Sequence, residues 1–119
     1  MFLSGPGSFG IDVVGESNYQ GALEFMAGGK SDDSANLIVL ATLRLENDNP
    51  HDRNAVKVKI GRFTVGYLDR TNAVQYRQQL RDSGITSYRA HCRAKIVGGW
   101  YRGPDDEGYY GVKLDLPID

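Results

Sequence analysis

Alternation between apolar and polar positions is cleanest from Tyr88 to Val97, where Tyr88, Ala90, Cys92, Ala94 and Ile96 fall on one side and Arg89, His91, Arg93 and Lys95 on the other. A period of two is what a half-buried strand requires. Tyr110, Val112, Leu114 and Leu116 repeat the pattern, and turn residues fill the stretch from Gly98 to Gly108. The two strands therefore read as a long hairpin with an aromatic, mobile tip. Within residues 36–45, Leu37, Val39, Ala41, Leu43 and Leu45 share a face opposite Thr42 and Arg44, which predicts a central strand. Residues 11–14 predict a short strand closed by Gly15, and the runs 55–60 and 63–68, separated by Gly61-Arg62, predict a second hairpin.

The period changes to that of a helix twice. From Tyr19 to Met26, Leu23 and Met26 become neighbours and Gly28-Gly29 supplies a stop; from Arg70 to Ser83, Ala73, Tyr76 and Leu80 form one stripe and Gly84 ends it. Arg70, Arg77 and Arg81 line an adjoining face, because positions seven and eleven along a helix return to within about 20° of the start.

The order strand, helix, strand, hairpin, helix, hairpin has too few crossover units for a doubly wound sheet. It predicts a mainly β (α+β) fold, a small, partly open barrel of about six strands with two helices. With 119 residues, 40% of them hydrophobic, the chain is sized for one domain. We assign it to residues 11–119, preceded by a flexible N-terminal tail over residues 1–10. Cys92 alone cannot form an internal disulfide, and no Cys/His cluster suggests a metal site, so neither cofactor nor metal is expected. The first residues lack a secretory pattern and no run reaches membrane-spanning length, which predicts a cytoplasmic protein, nucleoid- or nucleus-associated if it binds DNA.

Net charge is −1, unevenly spread: residues 1–50 carry two Lys/Arg against seven Asp/Glu, and residues 51–119 carry twelve against eight. That asymmetry permits a basic face. The row Arg89, His91, Arg93, Lys95 recurs about every 7 Å along its strand, a spacing that can track phosphates or simply supply a solvated face. Tyr19, Tyr67, Trp100, Tyr101 and Tyr109 fall at element ends or loops, where rings either stack on unpaired bases or cap the core. His51-Asp52 has no nucleophile in a catalytic context, so an enzyme is not expected. Asp48, Asp52 and Asn54 lack the glycine and terminal glutamate of a calcium loop.

The most distinctive segment runs from Glu46 to Arg70, ENDNPHDRNAVKVKIGRFTVGYLDR, a polar loop between strand patterns in which Asn and Asp bond nearby backbone and Pro50 fixes φ. Its Asp48-Asn49-Pro50-His51-Asp52, Asn54-Ala55-Val56-Lys57-Val58 and Val65-Gly66-Tyr67-Leu68, with Val14 to Gln20 upstream, resemble the HIRAN domain. The resemblance covers most of the chain, from Asp12 to Leu116. It implies a modified OB-like β-barrel and a non-enzymatic module that binds single-stranded DNA at its 3′-hydroxyl end, in DNA repair, alongside a DNA-processing protein partner. The site residues it implies are Tyr19 and His51 for stacking, Asp52 to accept from the terminal hydroxyl and Arg70 to hold a phosphate, with Tyr67 and Asn54 beside them. Ser17 and Asn18 stand where DNA-binding members carry an arginine and an aromatic, which points to modest affinity. The alternative is a protein-interaction module that uses the aromatic loop 98–109 or an edge strand, and an enzyme acting on nucleic-acid ends comes third.

Overall fold

A computed structural model describes residues 1–86 and 88–118. The elements are β1 (Ile11–Val14), α1 (Gln20–Ala27), β2 (Ala35–Leu45), β3 (Val56–Ile60), β4 (Phe63–Leu68), α2 (Arg70–Asp82), β5 (Arg89–Gly98), β6 (Tyr101–Gly103), β7 (Asp106–Glu107) and β8 (Tyr110–Asp115), with a 3₁₀ turn at Glu16–Asn18 between β1 and α1. Strands β1-β4-β3-β2-β5-β8 form an OB-like closed barrel in which every pairing is antiparallel. Closure, where a partly open barrel was expected, comes from β1. Its four residues are shared: Val13 and Val14 pair with β4, and Ile11 and Asp12 with β8.

Alternation put the right residues inside in β5 and β8, whereas β2, expected as a central strand, is flanked on both sides only from Ala41 on, and its Leu37 is 40% exposed because β3 ends at Ile60. Ala90, Cys92, Ala94 and Ile96 of β5 and Val112 and Leu114 of β8 are buried, as are Ala73, Tyr76 and Leu80 on α2. Tyr88 departs from the pattern: it precedes β5 and is 65% exposed. Gly66 is required where β1 crosses β4, since its φ is 151° and a Cβ there would overlap Val13 and the carbonyl of Val14. The register of β3 on β4 also shifts beside it, with Val58 opposite Gly66 but Lys59 opposite Thr64.

The segment 1–10, expected as a flexible tail, is tied to the barrel. His91 N donates to Met1 O at 2.8 Å and Leu3 N to His91 O at 2.7 Å, so residues 1–3 lie beside the part of β5 that β8 does not reach. Phe9 is buried beneath Arg93 and Lys95, whose cationic groups lie 5.7 and 4.7 Å from its ring centre. Gly7 N donates to the buried Asp115 at 2.8 Å.

The β5–β8 tip also differs from a run of turns. It contains the two-stranded sheet β6–β7, Trp100 Nε1 donates to Asp106 Oδ1 at 3.0 Å, and Tyr101 N donates to Ser31 O at 2.7 Å.

Candidate nucleic-acid interface

Residues 46–55 join β2 to β3 and build an ordered turn from their own polar side chains. Glu46 N donates to Ala55 O at 2.9 Å and Ala55 N to Asp52 O at 3.1 Å, which close the base of the loop. Asn49 Oδ1 accepts from His51 N and Asp52 N at 2.9 and 3.1 Å, and Asp52 Oδ1 accepts from Asn54 N at 2.9 Å. These side chains do what Asn and Asp do in tight turns, replacing backbone partners with local ones.

Arg77 of α2 fastens the loop from the side. Its guanidinium donates to Asn54 O (2.8 Å), Ala55 O (2.9 Å) and Asn47 Oδ1 (2.7 Å). Burial lowers its pKa, and the charge of Asp52 works in the opposite direction. The arginine row predicted on α2 is therefore divided by role. Arg77 holds protein, Arg81 donates to Gln78, and Arg70 stands exposed at the first residue of the helix, just after the capping Asp69.

Beneath the loop lies a polar knot. Glu46 accepts from Asn49 Nδ2 (2.9 Å) and Tyr67 OH (3.2 Å) and pairs with Lys57 Nζ at 2.6 Å. Burial pushes the Glu46 carboxyl up, but its hydrogen bonds to Lys57, Asn49 and Tyr67 and the Lys57 charge outweigh it, leaving the pKa lowered. The Tyr67 phenol is raised, first by burial and then by the Glu46 charge, with Tyr19 near enough to add to it. Tyr67, a candidate stacking ring, is thus half-buried, with its hydroxyl bonded to Glu46 beneath the loop. Tyr19 is half-buried at the junction of the 3₁₀ turn and α1.

Two open hollows flank the loop's first residues. One, about 490 Å³, is lined by residues 47–53 and has the exposed His51 on it. The other, about 480 Å³, is lined by Arg44, Leu45, Asn47, Asp48, Tyr88 and Arg89. Tyr88, Arg44 and Arg89 were missed as a cluster because strand alternation assigned Tyr88 to the core. The signal was present in part: Tyr88 lies at the very start of the alternating run, where a strand has yet to begin.

The predicted basic row on β5 is partly committed to the fold. His91 Nδ1 lies 3.1 Å from Thr42 Oγ1, Arg93 lies 3.8 Å from Asp115, and both Arg93 and Lys95 cover Phe9. Trp100 is likewise occupied, packed on Gly108 with the Arg102 guanidinium 5.6 Å from its ring, while Tyr101 and Tyr109 are exposed. Burial pushes the Cys92 thiol up to about 12, which keeps it from acting as a thiolate. Among the described residues, no three His, Cys, Asp or Glu side chains group to hold a metal ion, and no helix is long and apolar enough to cross a membrane. Comparison with protein-family profiles, with curated proteins and with solved structures found no match for this chain.

Proposed function

We propose that this protein is a non-enzymatic module that binds the ends of single-stranded DNA and reads the terminal 3′-hydroxyl. The observation that carries this is Asp52: its Oδ1 is used by Asn54 N, while no protein donor reaches Oδ2 among the described residues. It sits on a loop that Asn49 and Arg77 already hold, beside the exposed His51. A carboxylate repels internal phosphates but accepts from a free hydroxyl, so it favours a chain end over its interior. Because the loop is ordered before the ligand arrives, little conformational entropy is lost on binding.

In this reading His51 and Tyr19 stack on the last bases and Arg70, exposed where α2 begins, holds a phosphate. Tyr67 and Asn54 act through the loop, one from beneath it and one within it. Arg44, Tyr88 and Arg89 line the path the strand takes away from the end. The HIRAN-like motifs support the same assignment.

The test is a titration against matched oligonucleotides ending in 3′-hydroxyl or 3′-phosphate, with circular single-stranded and blunt duplex DNA as controls. Linear 3′-hydroxyl DNA binds best, and binding weakens with salt as counterions are released. Equal affinity for circular and linear strands defeats end recognition.

A further inference from the structure

The long strand β2 is only half covered. Its residues 41–45 pair with β3, but the register stops at Ala41 opposite Ile60, while pairing with β5 continues unbroken to Ala35. Residues 35–40 therefore extend past the β3–β4 turn with one open edge.

The direction of its backbone groups follows from two hydrogen bonds. Leu45 N donates to Tyr88 O on the β5 side and Glu46 N to Ala55 O on the β3 side. With no register shift between, odd-numbered residues address β5 and even-numbered ones address the open side. Asn36, Ile38 and Leu40 thus present N–H and C=O groups outward, and no backbone partner meets them among the described residues. Their surroundings are apolar as well: Ile38 and Leu40 are each 54% exposed and Leu37 is 40% exposed. An open, apolar strand edge is a template for pairing with another strand.

Charge indicates which strand. Asp32 and Asp33 stand exposed just before the edge begins, and Lys59 and Arg62 stand where it ends, at the β3–β4 turn. None of the four forms an ion pair among the described residues. An antiparallel copy of the same edge brings its acidic end to this basic end, and two-fold symmetry repeats the match.

We infer that two copies of the chain associate through residues 35–40 of β2, paired antiparallel about a two-fold axis at Leu37. Even-numbered residues must face even-numbered ones, which sets Asn36 of one copy opposite Ile38 of the other and Leu40 opposite Ser34. Centring on Ile38 instead would place Ala35 of the second copy beside Ala41, where Ile60 already lies. With the axis at Leu37, the incoming Asp33 turns away at Ile60 and meets Lys59 and Arg62. The edge is at the opposite end of β2 from loop 46–55, so both loops stay open; if the proposed function holds, the dimer carries two end-binding sites.

Sedimentation equilibrium without DNA tests this apart from the proposed function. The expected result is a species of twice the 13.1 kDa chain mass that dissociates on dilution. Ile38→Lys alters an exposed side chain and raises the dimer dissociation constant at least about tenfold, roughly 1.4 kcal/mol. Asp33→Arg and Arg62→Asp each weaken the dimer, and the two together in one chain restore it. A monomer up to near-millimolar concentration, a dimer indifferent to Ile38→Lys, or a double variant no tighter than the single ones overturns the proposal.

Discussion

Loop 46–55 and the tip of the β5–β8 hairpin are both rich in turn residues, yet they are held by different means. The loop is held by polar side chains that bond its own backbone within a few residues, and by one arginine from α2. The tip is held by packing and by distant partners: Trp100 lies on Gly108, Gly99 lies against the Tyr110 ring, and Arg102 Nε donates to Asp32 O at 2.9 Å. Local hydrogen bonding leaves side chains such as His51 outside and available. At the tip, packing occupies Trp100, one of its three candidate stacking rings, and leaves Tyr101 and Tyr109 exposed.

The largest expected effect is at the tip. Gly99→Ala forces a Cβ into the Tyr110 ring at a φ of 72°, and overpacking together with left-handed strain costs about 3 kcal/mol. Urea unfolding measures it. A loss below the error of the experiment would mean that the tip yields freely and that the contrast with the loop is false.

Arg77→Ala comes next. It leaves the carbonyls of Asn54 and Ala55 without their charged donor and lowers stability by about 2 kcal/mol in thermal or urea unfolding. Arg77→Lys recovers little, since one ammonium cannot span three acceptors. Full recovery by lysine would show that charge, not the planar fork, holds the loop.

A smaller effect separates the two roles of Asp52. If Oδ2 reads a 3′-hydroxyl, a 3′-phosphate weakens binding by about tenfold, because a charge-assisted hydrogen bond is lost and a like charge approaches. Asp52→Asn narrows that ratio. If Asp52 serves only the turn, the substitution lowers the melting temperature and leaves the ratio of affinities unchanged.

The smallest effect is in acid. The Glu46 pKa lies below its ordinary 4.5 in the folded protein, so the protein gains stability from this group above that value and loses it as pH falls through the lower, folded value. Glu46→Gln removes this part of the acid sensitivity. An unchanged slope of stability against pH below 5 would place the acid-sensitive group elsewhere.

Much of the barrel was legible in the sequence. Period-two alternation identified the inward faces of β5 and β8, and helical spacing with glycine stops bounded α1 and α2, because each signal is carried by neighbours along the chain. The order of loop 46–55 was legible for the same reason, since Asn49 and Asp52 find their partners two or three residues away. The α2 arginine row was legible as geometry but not as chemistry. Nothing in helical spacing says that Arg77 meets carbonyls of another element while Arg70 does not.

What only the tertiary structure decided depends on contacts between residues far apart in sequence. Barrel closure rests on β1 reaching both β4 and β8, and the docking of residues 1–10 rests on His91 and Asp115. The hollow formed by Tyr88, Arg44 and Arg89 and the open half of β2 depend on where each neighbouring strand ends. The sequence alone determined most of the inward-facing side chains of β5, β8 and α2 and how the polar loop turns, since a local period and local hydrogen bonds suffice for both, whereas Tyr88 and Leu37 share the inward period and are exposed. Which polar groups are already satisfied, and which remain open to a ligand or to a second strand, is set only when the chain closes on itself.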